Sequence, residues 1–265
     1  MEKAYKNLEF LSSRDARTLR ILSEYLEPQS RFAHYRVTDT VVFFGSARAL
    51  AAEEARKQLD LVQRGGNAEE IERARAQVDL SRYYEDARAL SRMLTEWSKS
   101  LQLPSRRFIV CSGGGPGIME AANRGASEAS GISIGLGISL PREMSSNPYS
   151  TRELAFEFHN FFMRKFWFVY LAKALVVFPG GFGTLDEFAE LLTLIQTRKT
   201  DKTMPVVLYG EVYWNDVLDL EALVRWGTIS REDLDLFHVS SDPRDAFEYL
   251  KTELGRLYLE ENGQG

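Results

Sequence analysis

Short apolar runs that glycine follows or interrupts recur from residue 37 onward, and they alternate with segments of helical periodicity. Five such runs occupy residues 41–44, 108–111, 132–138, 174–178 and 206–209. Strands that alternate with helices are typical of βαβ units and a mainly parallel sheet. Strands that are apolar on both faces need helices on both sides. The pattern therefore predicts an α/β fold, doubly wound, with helices on both faces of the sheet.

The first 36 residues form a different pattern, which predicts a helical arm. Their apolar positions fall mostly on one helical face, Ser12 or Ser13 is placed to cap the helix, and Pro28 is predicted to follow its end. We therefore divide the chain into an arm, residues 1–36, and an α/β domain, residues 37–265.

One crossover of the domain is unusually long. Residues 49–64 and 68–100 each predict a helix, and Gly65, Gly66 and Asn67 separate them. Their many Ala, Glu and Arg residues favour surface helices with solvated charged faces. A contact between copies of the chain is the alternative.

Composition and charge exclude several classes of protein. The 265 residues are 44% hydrophobic and 27% charged, and 33 basic against 38 acidic residues give a formal net charge of −5. This balance is that of a globular protein, and it argues against broad binding to nucleic acid or to an anionic membrane. A local basic pocket for one phosphorylated small molecule remains compatible with it.

Metal sites, disulfides and export signals are not expected. Cys111 is the single cysteine, and His34, His159 and His238 lie far apart in sequence. The N-terminus has no apolar signal core, and the apolar run at residues 166–178 is too short to cross a bilayer. The sequence predicts a soluble cytoplasmic protein without a metal.

Glycines follow three of the predicted strands, at Gly45-Ser46, residues 113–117 and residues 180–183. In open parallel sheets, ligands bind at the carboxyl ends of the strands. Glycine allows backbone N–H groups to approach a ligand, and a following helix N-terminus favours an anion. Tight turns also need glycine, but three such turns together favour a phosphorylated ligand. The GxGxxG, GxxxxGK[ST] and GxSxG motifs do not occur, so the usual dinucleotide, P-loop and α/β-hydrolase sites are not expected.

The most informative segment is Pro179-Gly180-Gly181-Phe182-Gly183-Thr184-Leu185-Asp186-Glu187, between a strand and an amphipathic helix. Thr184 and Glu187 have the spacing of a capping box, with Thr184 as the N-cap of a helix over residues 184–197. Three glycines before a helix start are not needed for a capping box, and they place this start in the ligand crevice.

A second segment, Phe161-Phe162-Met163-Arg164-Lys165, surrounds two cations with aromatic residues on a predicted helix over residues 160–173. Adjacent helical residues point about 100° apart, so one cation can face the crevice while the other does not. Both can also extend from a buried aromatic face to solvent. The sequence does not choose between these arrangements.

These motifs resemble the LOG family of cytokinin riboside 5′-monophosphate phosphoribohydrolases, which are often mislabelled as lysine decarboxylases. The 179–187 segment is similar to the family's PGGxGTxxE motif, residues 113–119 to its GGGxxGxM turn, Gly45-Ser46 to its first strand-end turn, and Arg164-Lys165 to the RK pair of its second motif. The resemblance extends from about residue 41 to about residue 243.

The resemblance implies a Rossmann-like, nucleotide-binding catalytic domain that works as a homodimer or higher homo-oligomer and needs no cofactor. It implies hydrolysis of the N-glycosidic bond of a nucleoside 5′-monophosphate to free base and ribose 5-phosphate. Arg164 and Glu187 match the catalytic pair. The substrate- and phosphate-binding positions that match are Ser46, Gly114, Gly115, Gly117, Met119, Gly180, Gly181, Gly183 and Thr184.

The chain departs from short plant-type members, which carry Met-His where this sequence has Phe161-Phe162. The long crossover and residues 141–149 look like a longer bacterial branch. AMP or another purine monophosphate is therefore expected as substrate, with a cytokinin riboside monophosphate as the narrower possibility.

Glu187 is the candidate to stabilise a cationic ribose or to activate water. A position near a helix N-terminus predicts that its ionised form is favoured. Asp186 is the reserve carboxylate, and Arg164 is expected to orient Glu187 or to hold the phosphate or the leaving base. Lysine decarboxylation is not expected, because no lysine has the setting of a pyridoxal phosphate Schiff base.

A second class of function is non-catalytic: nucleotide or molybdenum-cofactor binding by a carrier of the same fold. Such a binder needs the glycine turns but not the Arg164 and Glu187 pair. A homo-oligomer is expected on separate grounds, because the predicted helix over residues 160–173 is apolar on more than one face. The alternative is that the N-terminal arm covers this helix.

Overall fold

The computed structural model describes residues 2–103, 105, 107–139, 147–199 and 202–259. Its centre is a seven-stranded sheet in which all neighbouring strands run parallel. The strands are β1 (Thr40–Phe44), β2 (Ile109–Ser112), β3 (Ser133–Ile138), β4 (Ala155–Phe158), β5 (Ala172–Val177), β6 (Val206–Tyr209) and β7 (His238–Ser240). The predicted α/β fold with a parallel sheet is confirmed.

The helices surround this sheet. They are α1 (Leu8–Ser12), α2 (Arg17–His34), α3 (Ala52–Gln63), α4 (Ala68–Ser100), α5 (Ile118–Glu128), α6 (Phe161–Tyr170), α7 (Phe182–Gln196), α8 (Glu211–Val217), α9 (Leu220–Arg225) and α10 (Pro243–Tyr258). Side chains alternate across each strand, so Val42 and Phe44 of β1 pack on the side of α6 and α7, while Val41 and Phe43 pack on the side of α4, α5 and α10. The sheet is therefore covered on both faces.

The strand order β4-β3-β2-β1-β5-β6-β7 reverses direction between β1 and β5. The chain leaves the carboxyl ends of these two strands toward opposite faces, which opens a crevice between them. The predicted glycine turns after β1, β2 and β5 therefore lie at one end of the sheet.

Two strands escape the sequence pattern. Strand β4 lies at the edge of the sheet, where it buries alternate residues, and β7 has three residues. By contrast, α4 has the predicted bounds, because Asn67 and Glu70 form a reciprocal capping box at its start. Residues 141–146, which belong to the segment that resembles the longer bacterial members, lie outside the described residues.

The N-terminal arm is helical, but its predicted start and end are wrong. Ser12 ends α1, and α2 begins at Arg17 after Ala16. Pro28 lies inside α2 rather than after it. A proline in a helix leaves the carbonyl four residues earlier without its usual donor. Here that carbonyl, of Glu24, accepts a hydrogen bond of 2.9 Å from the indole N–H of Trp167.

Helix α6 is shorter than predicted. It ends at Tyr170, and Lys173 belongs to strand β5, which begins at Ala172 opposite Thr40 of β1. The local sequence suits a helix, but pairing with β1 ends it.

The arm covers part of α6. Tyr25 stacks against Trp167, which is buried. Other aromatic side chains of α6 stay exposed, at 51% for Phe161 and 52% for Phe162. The arm therefore does not cover all of the aromatic face. Among the described residues, no helix has both the length and the apolar character needed to cross a membrane.

Candidate active site

A cavity of about 640 Å³ opens at the carboxyl ends of β1, β2 and β5. Its size lies in the range of small-molecule sites. Residues from the three turns, from strands β1 and β3 and from helices α4 to α8 line it: Phe44, Gly45, Ser46, Ala47, Arg48, Leu80, Gly113, Gly115, Met119, Ile138, Phe161, Arg164, Pro179, Gly180, Gly181, Phe182, Gly183, Thr184, Asp186, Glu187 and Tyr213. The structure therefore brings most of the predicted site residues together.

Backbone hydrogen bonds join the three turns. The N–H of Ser46 donates to the carbonyl of Pro179 at 2.9 Å, and the N–H of Ile118 donates to the carbonyl of Ser46 at 3.0 Å. The turn after β1 thus lies between the other two. Because these bonds are formed by main-chain atoms, the relative position of the turns depends on close approach of the backbone rather than on side-chain identity.

The glycines of the turn after β5 serve two different purposes. A Cβ on Gly180 would lie 2.1 Å from Oγ1 of Thr184 and 3.0 Å from the Ser46 nitrogen, so Gly180 permits close packing. A Cβ on Gly181 or Gly183 would meet no described atom within 4 Å. These two glycines leave open space at the start of α7. Tyr213, which also lines the cavity, supports the turn, because its hydroxyl donates to the Gly180 carbonyl at 2.8 Å.

The predicted capping box at Thr184 and Glu187 is wrong. Helix α7 begins at Phe182 after Gly181, and within the described residues no side chain caps it. Thr184 lies in the first turn and Glu187 in the second. The first N–H groups of a helix have no intrahelical acceptor, and together with the helix dipole they favour an anion. The open glycines therefore lie beside donors that suit a phosphate.

Glu187 is buried at the cavity wall, with 8% of its surface exposed. Burial raises its pKa to about 7, although the positive charges of Lys165 and Arg164 act in the opposite direction. The expectation that a helix N-terminus would favour the ionised form is therefore wrong, since Glu187 lies beyond the first turn and desolvation dominates. At neutral pH the carboxyl is present in both protonation states.

The two adjacent cations of α6 diverge. Arg164 lines the cavity, and its Nε donates to the Leu136 carbonyl of β3 at 2.7 Å. Lys165 instead bridges Asp186 and Glu190 of α7, with both distances at 2.7 Å. Burial disfavours the charge of Lys165, but these two carboxylates outweigh it and raise its pKa. Arg164 is thus the cation that reaches the cavity.

Asp186 lies at the same cavity but differs from Glu187. It is exposed, and its carboxylate pairs with Lys165. A solvated carboxylate that is already paired is a poorer acid or base near neutral pH than a buried one. The geometry therefore favours Glu187 over Asp186 as the reactive group.

The turn after β2 contributes fewer lining residues than predicted. Gly113, Gly115 and Met119 line the cavity, whereas Gly114 and Gly117 are not part of its lining. Both of the latter have positive φ, at 70° and 72°.

Close backbone contacts explain these two glycines. A Cβ on Gly117 would lie 2.2 Å from the Ser46 carbonyl oxygen, and one on Gly114 would lie 3.1 Å from Cα of Gly135. They shape the backbone behind the site.

Some lining residues were not predicted as site residues. Arg48 is a second cation at the cavity, and its main-chain N–H donates to Oγ of Ser46 at 3.1 Å. Phe182 is 92% exposed at the start of α7, and Leu80 reaches the cavity from the long helix α4. The position of Arg48, two residues after Ser46, was the available signal, whereas nothing in the pattern of α4 marked Leu80.

Comparison with known proteins bears on the family of this chain. The family model described as "Possible lysine decarboxylase" matches residues 119–250, about half of the chain, including the 179–187 segment. The chain is also 32% identical over 117 residues to the pyrimidine/purine nucleotide 5′-monophosphate nucleosidase of Escherichia coli strain K12, and the same holds for the protein of strain O157:H7. The match covers 41% of this chain and 26% of those relatives, so the chain spans about a quarter of their length.

Solved structures with a similar backbone fold include molybdenum-cofactor proteins. The molybdenum cofactor binding protein from Rippkaea orientalis is 18% identical, with a TM-score of 0.49 and coverage of 80% of this chain and 94% of that one. The Moco carrier protein from Chlamydomonas reinhardtii is 20% identical, with a TM-score of 0.48 and coverage of 83% and 99%. Sequence identities and TM-scores this low give no information about what this chain binds.

The family match includes the segment whose glycines open the cavity and whose helix carries Glu187. This match agrees with the resemblance of the sequence motifs to the LOG family, whose members are often mislabelled as lysine decarboxylases. On these findings, the chain belongs to the LOG family.

Proposed function

We propose that this protein hydrolyses the N-glycosidic bond of a purine nucleoside 5′-monophosphate, such as AMP or a cytokinin riboside monophosphate, to free base and ribose 5-phosphate. The observation that carries the proposal is the buried carboxyl of Glu187, whose pKa is about 7, at the wall of a cavity that also receives Arg164. The name of the Escherichia coli relatives supports the same class of reaction.

The phosphate is proposed to bind at the start of α7. There the open space over Gly181 and Gly183 lies beside the uncapped helix N-terminus. Arg48 and Arg164 add positive charge to the same cavity. A nucleoside without phosphate leaves these donors and charges without an anionic partner, so it is expected to bind more weakly.

Glu187 is proposed to act in its ionised form on the ribose. Departure of the base breaks the bond between C1′ and the base nitrogen, the electron pair leaves with the base, and C1′ gains positive charge. The carboxylate stabilises this charge and accepts a proton from the water whose oxygen bonds to C1′. With a pKa near 7, the protonated group can then return that proton to the departing base.

The proposed reaction needs no cofactor.

We also propose that the protein is a homo-oligomer in which the exposed aromatic side chains of α6 contact a second copy of the chain. Light scattering at micromolar concentration tests the oligomer, and a monomeric mass would contradict it.

The activity is tested by incubating the purified protein with AMP or adenosine and separating the products by chromatography. We expect free adenine and ribose 5-phosphate from AMP, and little adenine from adenosine. Equal turnover of the two would contradict the phosphate site. Binding of AMP without release of adenine would instead indicate the non-catalytic nucleotide-binding function.

A further inference from the structure

Helix α2 of the N-terminal arm is bonded to the start of α6, the helix that carries Arg164. The carboxylate of Glu24 accepts hydrogen bonds from the N–H of His159 at 2.8 Å, from the N–H of Asn160 at 3.3 Å and from Nδ2 of Asn160 at 3.0 Å. Asn160 is the N-cap residue of α6, and its own side chain forms no capping bond within the described structure. A carboxylate from a distant segment therefore holds this helix start, where negative charge is favourable.

Further contacts keep the arm in this position. The Trp167 indole donates to the Glu24 main-chain carbonyl, which Pro28 leaves without a helical donor. Arg31 donates to the carbonyls of Glu153 and Ala155, next to and within the edge strand β4, at 3.0 and 3.1 Å. Because these contacts do not involve the Glu24 carboxylate, we expect the arm to stay docked when that carboxylate is changed.

The anchored helix start leads directly to the cavity. Phe161, which follows Asn160, lines the cavity, and the N–H of Arg164 donates to the Asn160 carbonyl at 3.2 Å. A helix as short as α6 has little stability of its own, so its first turn depends on contacts with the rest of the protein.

We propose that Glu24 is a positioning residue for the active site, and that it fixes the first turn of α6 and thereby the placement of Arg164. This inference rests on the proposed function for its catalytic readout. It assigns to the N-terminal arm a part in the reaction, although the arm lies outside every motif of the site. Removal of the carboxylate leaves three N–H donors without their acceptor, and the first turn of α6 loses its anchor.

The test compares Glu24→Ala, Glu24→Gln and the control Glu27→Ala in the full chain. Glu27 is the other carboxylate of α2, and it pairs with Arg31 rather than with α6. We expect Glu24→Ala to lower kcat for AMP by about 10- to 100-fold, as a small misplacement of a catalytic group does. The Gln variant, which keeps an amide oxygen as acceptor, recovers part of the loss, and Glu27→Ala stays within about twofold of wild type.

The pH profile separates positioning from a general loss of stability. Glu187 faces Lys165 and Arg164 of α6 and Asp186 and Glu190 of α7. If the start of α6 moves, the two cations stabilise ionised Glu187 less, so the acid limb of the rate profile shifts to higher pH in Glu24→Ala. A fold-wide destabilisation lowers the amount of active enzyme without moving this limb.

Hydrogen exchange gives a readout that does not need activity. We expect faster exchange in a peptide over residues 159–170 of Glu24→Ala, with unchanged exchange in strands β1 and β5. Unchanged exchange and unchanged kcat in this variant would overturn the inference. If wild type does not cleave AMP, the proposed function fails, and the exchange result still decides whether Glu24 anchors α6.

Discussion

The turns after β2 and after β5 are both rich in glycine and both lead into a helix, yet they use glycine differently. In the turn after β2, Gly117 has a φ of 72°, and a Cβ there would lie 2.2 Å from the Ser46 carbonyl oxygen. In the turn after β5, a Cβ on Gly183 would meet no described atom within 4 Å. At Gly117 the first turn is closed by backbone contacts, and at Gly183 the second is open to a ligand.

This difference shows that a glycine motif does not by itself identify ligand contacts. Gly114 and Gly117 match family positions as well as Gly181 and Gly183 do, but they fall outside the cavity lining. A glycine is needed wherever a side chain would be in the way, and the obstruction can be the protein or the ligand. Substitutions can distinguish the two cases.

The largest effect is expected at Glu187, on the helix that follows the open turn. Glu187→Gln keeps the shape of the side chain but cannot accept a proton or carry negative charge. We expect kcat for AMP to fall roughly 10²- to 10⁴-fold with little change in AMP binding, measured by steady-state kinetics and calorimetry.

Asp186→Asn is the control, since Asp186 is exposed and paired with Lys165. It is expected to lower turnover much less. Loss of turnover in this variant, with retention in Glu187→Gln, would move the role to Asp186. Retention in both would refute a carboxylate mechanism.

The closed turn is expected to respond through stability. Gly117→Ala places a side chain at positive φ and against the Ser46 carbonyl, so the joined turns must separate. We expect the free energy of unfolding to fall by roughly 3 kcal/mol or more. Urea denaturation measures it, and a loss below about 1 kcal/mol would show that the backbone there can adjust.

The buried carboxyl behind the open turn makes stability depend on pH. The pKa of Glu187 is about 7 in the folded protein, above its ordinary value of 4.5. The folded state therefore binds more protons between these values, and its stability falls as pH rises from about 4.5 to about 7, by roughly 2 to 3 kcal/mol.

The effect is isolated by comparing wild type with Glu187→Gln in urea at pH 5 and pH 8. Relative to the variant, wild type should be more stable at pH 5 than at pH 8. The same pH dependence in both proteins would show that Glu187 is not the group responsible.

The smallest effect on stability is expected at Gly183, where a substitution tests directly whether the turn after β5 is open to a ligand. Gly183→Ala adds a methyl group to the open space and introduces a better helix former, so we expect stability to be unchanged or higher by up to about 1 kcal/mol. Because the methyl group occupies the proposed phosphate position, the Kd for AMP should rise about tenfold or more. Gly183→Ser tests the same position with a larger side chain. Normal AMP affinity in both variants would place the phosphate elsewhere.

Much of the architecture was predictable from the chain alone. Five of the strands follow from apolar runs that glycine follows or interrupts, because central parallel strands are buried on both faces and so leave a continuous signal. Helix α4 begins where predicted because Asn67 and Glu70 mark its start locally. Strands β4 and β7 were missed because a short edge strand buries too few residues to differ from a loop.

The motif residues Glu187 and Arg164 were predicted as site residues, and the structure places both at one cavity. Their surroundings were not predictable. The choice between Arg164 and Lys165 depends on which carboxylates α7 presents, and the pKa of Glu187 depends on burial by residues from other elements. Neither property is a function of neighbouring positions in the sequence.

The sequence by itself determined the alternation of the five central strands with helices, the mainly parallel sheet and the three glycine turns, because these depend on local periodicity and backbone freedom. Only the tertiary structure decided that Pro28 continues a helix, that Lys173 lies in a strand, and that Glu24 holds the start of α6. In each case a partner from a distant part of the chain supplies a hydrogen bond or a strand pairing that overrides the local preference. Such partners are brought together by packing of the core, which no short stretch of sequence specifies.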